Sequence, residues 1–247
     1  MTGASRGIGA AVARELAATG RPVIVGFRQD ETAAKQTVAD IERAGGTALA
    51  CRADVTEADG VEALFRTAEE AYGRVLVLVN NAGIRADQVF AAMEPSDWHA
   101  VLDTNLSAVY RTMHRALPVM SRARFGRIVN IGSVLGSRSL PGVANYAAAK
   151  AGLEGLTRSV AVEVARRGIT VNTVAPGLVE TELVADVEFL RRSARTAIPA
   201  RRAAQPAEIA SCVRFLAAPE AGYLTGTTIT VDGGLSAAAF VPHVPKD

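Results

Sequence analysis

Lysine, cysteine, aromatic residues and long apolar runs are all scarce in this chain, and each shortage removes a class of protein. Lys35, Lys150 and Lys246 are the only lysines among 27 basic residues, and the formal net charge of +2 gives no sign of a nucleic-acid-binding surface. The excess of arginine reads as coding bias. The 2 cysteines, Cys51 and Cys212, sit in apolar segments without metal-ligand spacing. They read as small core residues in a reducing compartment, so neither a disulfide framework nor a metal site is expected. No apolar run is long enough to span a bilayer and no secretory leader is recognisable, which predicts a cytoplasmic protein. Only 5% of residues are aromatic, while 49% are hydrophobic. A core built from Ala, Val and Leu suits helices packed closely on a sheet.

Short apolar runs alternate with longer amphipathic ones. Strands are predicted at Pro22–Phe27, Thr47–Cys51, Val75–Val79, Arg127–Ile131, Ile169–Val174 and Thr228–Val231. Helices are predicted at Ala10–Ala18, Glu31–Ala44, Glu57–Tyr72, Pro95 to about Arg122 with a break near Pro118, Asn145–Arg167 and Pro206–Leu216. That alternation implies an α/β fold, a Rossmann-type doubly wound parallel sheet with helices on both faces. No linker or repeat divides residues 1–247, so a single domain is expected, with a tail from about residue 236. Such a fold should open with a buried strand leading into its first Gly-rich turn. Here Met1 abuts the turn, so the first strand is absent. Either the reading frame starts late, at a GTG codon inside the strand, or the chain lacks its central strand. The first is expected, because losing a central strand opens two edges and a slot in the core.

The triple Ser133, Tyr146 and Lys150 carries the chemistry. The run NYAAAKAG favours helix, which puts Tyr146 and Lys150 on one face a turn apart. A phenol beside an ammonium is a better acid, and a general acid works best near the working pH. Ser133 can donate to an oxygen gaining charge. Taken alone, Tyr and Lys at this spacing occur on many helices without function. Thr2-Gly3-Ala4-Ser5-Arg6-Gly7-Ile8-Gly9 opens a helix, a turn that brings backbone close to a pyrophosphate at a helix N-terminus. Arg28, after the next strand, suits a 2′-phosphate and with Arg6 could hold it, although Asp30 nearby argues the other way. Asp54-Val55 falls where an adenine edge should lie, and Asn80-Asn81-Ala82-Gly83 beside a ribose. Asn105 is a polar residue in an apolar stretch, either a satisfied core amide or the anchor of a water path.

The segments TGASRGIG, DVT, NNAG, IGS, YAAAK and APG, in this order and with Asn105 between them, resemble the short-chain dehydrogenase/reductase family. Within it, NNAGIRAD, GRIVNIGSVLG, ITVNTVAPGLVETEL and YLTGTTITVDGG are most similar to bacterial 3-oxoacyl-(acyl-carrier-protein) reductases. The resemblance implies a catalytic tetrad of Asn105, Ser133, Tyr146 and Lys150 and reduction of a ketone to a secondary alcohol with NADPH rather than NADH. It implies that Gly3, Ser5, Arg6, Gly7, Ile8, Gly9, Arg28, Asp54, Val55, Asn81, Ala82 and Gly83 border the cofactor, with Tyr146 and Lys150. Pro176, Gly177, Val179 and Thr181 would meet its carboxamide end. It also implies docking of an acidic acyl carrier protein through Arg127 and Arg167, with Arg122 and Arg124 nearby, against the plain reading of scattered arginines. A homotetramer is expected, built through the helices around Met113 and Tyr146 and the last strand. Two other readings remain open: a dehydrogenase of another small alcohol, ketone or sugar, which Leu183–Ala204 would decide, and a catalytically silent binding subunit.

Overall fold

A computed structural model describes residues 1–181, 194 and 196–238. Of the segment 183–204, residues 183–193 and 195 lie outside the described residues, as does the tail beyond Ala238.

The apolar runs become six strands, β1 (Val23–Phe27), β2 (Ala48–Arg52), β3 (Val77–Asn80), β4 (Gly126–Ile131), β5 (Ile169–Pro176) and β6 (Thr228–Val231). All pair in parallel, in two blocks ordered β1-β2 and β3-β4-β5-β6. The strands β1, β4 and β5 are buried at every position, as expected of strands covered on both faces. Met1 and Thr2 join the two blocks. The amino group of Met1 donates to Ile24 O at 3.1 Å, Gly26 N–H donates to Met1 O at 3.0 Å, and Thr2 N–H donates to Val79 O at 3.1 Å. Among the described residues no strand lies between β1 and β3, in agreement with the expected absence of the first one.

Helices cover both faces. On one, α1 (Gly7–Ala17), α2 (Glu31–Arg43) and α7 (Pro206–Leu216) pack Val12, Leu16, Ile209 and Val213 against β1, β4 and β5. On the other, α3 (Ala58–Tyr72), α5 (Ala108–Ala123) and α6 (Ala144–Val164) bury Leu64, Phe65, Met113 and Leu153. Each such side chain contributes about 1.5–3 kcal/mol relative to exposure. A run of buried polar side chains between the sheet and this layer is paired. Thr112 Oγ1 donates to Asn80 Oδ1, Asn80 Nδ2 to Asn130 Oδ1, and Asn130 Nδ2 to Thr157 Oγ1, at 2.7–2.9 Å. This chain ties α5 and α6 to β3 and β4. No helix among the described residues is long and apolar enough to cross a membrane.

One predicted break is in another place. Pro118 sits inside α5 without ending it. Its side is exposed, so the carbonyl it leaves unbonded can meet solvent. The interruption comes earlier, where α4 (Pro95–Leu102) passes into α5 through a π-helical turn, Asp103–Ser107. Such turns often mark functional positions, and this one carries Asn105.

Candidate active site

The strands end on a cleft of about 1170 Å³. Every residue that the sequence places at the cofactor or in catalysis lines it, except Asn80 and Asn105. The Gly-rich turn forms the floor. Gly3 and Gly7 have φ of +59° and +56°, which favour glycine. A Cβ on Gly9 would lie 2.0 Å from Gly3 O, and one on Gly3 would lie 2.8 Å from Ala82 Cα. Nothing larger fits. Asn81 Nδ2 donates to Gly3 O at 2.6 Å, and Thr2 Oγ1 accepts from Asn81 and Ala82 N–H at 3.0 and 3.1 Å. The turn and the NNAG segment are therefore stitched into one surface, and Thr2 is a contributor that the sequence reading did not select. The helix α1 starts at Gly7 with no side-chain cap, so its first N–H groups are open to an anion.

On the adenosine side, Asp30 accepts from Ala33 N–H at 2.9 Å and caps α2. One of its carboxylate oxygens is thus engaged by the helix. Arg28 faces the cleft 3.8 Å from Asp54, whose side chain also accepts from Thr56 N–H and Oγ1. Arg6, Val55 and Ile8 line the same end. At the opposite end, Pro176, Gly177, Val179 and Thr181 follow β5 into the cleft wall. Val179 is held by a parallel bridge to Ala204.

Ser133, Tyr146 and Lys150 meet between β4 and α6. Ser133 Oγ accepts from Leu135 N–H at 3.1 Å, which leaves its own hydrogen to donate. Burial pushes the Tyr146 phenol above its ordinary pKa, while a hydrogen bond with Ser133 and the positive charge of Arg85 act against that rise. Lys150 is buried at 4% exposure, and desolvation draws its pKa down to about 8. Its Nζ donates to Ile131 O at 2.8 Å and stands 5.5 Å from the Tyr146 ring centre. Arg85 is a second cation beside the phenol, its guanidinium carbon 5.7 Å from the ring centre.

Asn105 is fully buried behind the cleft wall. Its Oδ1 accepts from Ile84 N–H and its Nδ2 donates to Ile84 O, both at 2.9 Å. A Cβ on Gly83 would lie 2.8 Å from that Oδ1. The amide is thus a satisfied core group that also fixes the segment carrying Arg85 and Asp87. Those two residues escaped the sequence reading although the run NNAGIRAD contained them. An acid–base pair two residues apart in a loop carries no signal of its own.

Arg127 corrects the reading of a basic docking rim. It is 4% exposed. Its guanidinium donates to Gly126 O, Gly168 O, Ala218 O and Pro219 O and lies 4.3 Å from the Phe125 ring centre. The side chain thus turns inward onto carbonyls of β4, of the turn before β5 and of the turn just past α7. Arg122, Arg124 and Arg167 are exposed. Arg127 is the second residue of β4 and Arg167 precedes β5, so both lie at the ends of the strands away from the cleft.

Residues 3–236 match the family described as enoyl-(acyl carrier protein) reductase. Over 236 residues, 95% of this chain and 95% of the relative, the sequence is 47% identical to a 3-oxoacyl-(acyl-carrier-protein) reductase of Synechocystis sp.. It is 45% identical to the reductase FabG of Vibrio cholerae with the same coverage, and 43% identical to that of Staphylococcus aureus, covering 95% of this chain and 96% of the relative. Among solved structures, one described provisionally as a gluconate dehydrogenase from Agrobacterium tumefaciens has 34% identity and a TM-score of 0.92, covering 96% of this chain and 94% of that one.

Proposed function

Because the chain belongs to the short-chain dehydrogenase/reductase family, and so is an oxidoreductase that uses a nicotinamide cofactor, we propose that it reduces 3-oxoacyl thioesters carried on an acyl carrier protein to 3-hydroxyacyl thioesters, in fatty acid or polyketide synthesis, with NADPH. The observation that carries the reading is the identity of 43–47% over 95% of the chain to reductases of that name.

The cleft fits such a cofactor on its own geometry. Gly3 and Gly9 leave a cradle that any Cβ would fill, and the open N-terminus of α1 offers donors to a pyrophosphate. Arg28 and Arg6 supply cations where a 2′-phosphate would sit, while Asp30 has one carboxylate oxygen engaged by its helix. These features favour NADPH over NADH. When bound, a reduced nicotinamide supplies hydride to the ketone carbon. The protein's part is to orient the ketone and deliver the proton. Ser133, whose oxygen is already held by Leu135 N–H, directs its hydrogen to the ketone oxygen. Tyr146 gives that oxygen its proton and is left as phenolate. Lys150 uses one N–H on Ile131 O and has others for ribose hydroxyls. Its low pKa means that ligand contacts draw it toward the charged form, which then favours the phenolate.

Carrier docking needs a basic surface at the mouth of the cleft. Arg167 lies at the far end of its own subunit, so its use in docking requires a neighbouring subunit. This links docking to the homotetramer we also propose, for which exposed Tyr110, Val162 and Tyr223 provide apolar surface. Light scattering at a monomer mass overturns the tetramer.

The test is Tyr146→Phe assayed with NADPH and an acetoacetyl thioester. Nucleotide binding by fluorescence should persist while turnover falls by about 10²-fold or more. Undiminished turnover refutes the reading. The structural likeness to the Agrobacterium protein favours one rival, a small sugar-acid dehydrogenase. Gluconate oxidation without thioester reduction would select it.

A further inference from the structure

Between β3 and α4 the chain crosses the mouth of the cleft as an irregular segment pinned at three points. Both backbone polar groups of Ile84 are held by Asn105 at 2.9 Å. Ala86 O accepts from Asn145 Nδ2 at 2.9 Å, and Gln88 N–H donates to Gly142 O at 2.9 Å. Asn145 also accepts from Tyr146 N–H at 2.7 Å, so one side chain joins the segment to the first turn of α6 beside the phenol. Of the residues between the pins, Arg85 and Asp87, the first lines the cleft. They form a two-pronged ion pair, Nε to Oδ1 at 3.0 Å and Nη2 to Oδ2. The Arg85 guanidinium carbon stands 5.7 Å from the Tyr146 ring centre.

We propose that the Arg85–Asp87 pair is a positioning device for proton transfer, in which the guanidinium steadies the phenolate form of Tyr146 and the aspartate limits how far it does so. The inference rests on Tyr146 being the proton donor, as argued above.

The charged and polar groups facing the phenol come from three elements. Ser133 comes from the end of β4, Lys150 from the next turn of α6, and Arg85 and Asp87 from the pinned segment. Of the neighbouring acids, Asp97 on α4 meets Asn145 through its backbone carbonyl, and Asp103 is paired with Arg111. Lys150 is turned toward Ile131 O and its proton is loosened by burial. The Arg85 guanidinium is the cation that the pinned segment sets beside the phenol ring. The two members of the pair act with opposite sign on Tyr146: Arg85 lowers its pKa and Asp87 raises it.

That opposition gives the test. In the oxidative direction a 3-hydroxyacyl thioester gives its hydroxyl proton to the Tyr146 phenolate and its hydride to NADP⁺, leaving the ketone. The rate then rises with pH as the phenol ionises. Arg85→Met should move this rising limb to higher pH and Asp87→Asn to lower pH, each by about threefold in rate at a fixed pH on the limb. Arg85→Lys, which keeps the charge, should bring the limb most of the way back. The pair is partly exposed, with side chains at 35% and 43%, so the fold should survive both changes, and thermal unfolding checks this. A merely structural role would move both limbs the same way or neither, and either result overturns the proposal. Tyr146→Phe in the same assay separates the two readings. If it is inactive and the limbs do not move, only the role of the pair is lost. If it is active, the assignment of Tyr146 falls and this proposal with it.

Discussion

Replacing Arg127 by methionine should unfold the protein at a markedly lower temperature. The guanidinium makes four hydrogen bonds to carbonyls at 2.8–3.3 Å. A hydrogen bond to a charged donor contributes about 1.5–3 kcal/mol, so the gross loss is roughly 6–12 kcal/mol. Against this stands relief from burying a cation, which costs several kcal/mol, visible as a lowered Arg127 pKa whose main cause is desolvation. Methionine also keeps apolar contact with Phe125. The balance is a net loss of about 2–4 kcal/mol. For a chain of this size each kcal/mol moves Tm by about 2–4 °C, so a fall of roughly 4–16 °C is expected by circular dichroism. Arg167→Met, on an exposed side chain, should stay within about 2 °C of wild type. The reasoning is refuted if Arg127→Met leaves Tm unchanged while activity falls on an acyl-carrier substrate and not on a small thioester. That result would make Arg127 a docking residue after all.

Three further outcomes follow from other parts of the site. Gly9→Ala puts a methyl 2.0 Å from Gly3 O, so nucleotide binding measured by fluorescence should weaken at least tenfold, with unfolding showing whether the turn itself gives way. Arg28→Glu should lower the preference for NADPH over NADH by about tenfold in kcat/KM; an unchanged ratio would mean the 2′-phosphate is held elsewhere. Lys150 has a folded-state pKa of about 8, below its unfolded value, so the unfolded chain binds more protons between pH 8 and 10.5 and the cost of burying the charge is fully present below that window. Lys150→Met should therefore abolish turnover yet raise Tm of the nucleotide-free protein near pH 7, with the gain shrinking as pH rises through the window; a gain that did not change with pH would contradict the assignment.

The elements that sequence read best are those with local signals. Pro206–Leu216 was bounded to the residue, because Pro206 suits a first helical position and Gln205 and Glu208 form a reciprocal cap. Pro118 misled, since a proline on an exposed helix face needs only solvent for the carbonyl it frees. Asn105 was noticed as a polar residue among apolar ones, but its partner was the backbone of Ile84, 21 positions away. Arg127 looked like a rim residue because no local rule tells a residue near the start of a strand that the carbonyls of Gly168, Ala218 and Pro219 lie beside it.

The sequence by itself determined the order of strands and helices, the bare backbone of the Gly-rich turn, and the spacing that brings Tyr146 and Lys150 together, because periodicity, turn chemistry and steric room are properties of near neighbours. Tertiary structure alone decided that Arg85 and Asp87 stand beside the phenol, that Asn105 holds Ile84, and that Arg127 faces inward. Those outcomes depend on distance through space and on the loss of water, and neither is set until segments far apart in the chain have packed.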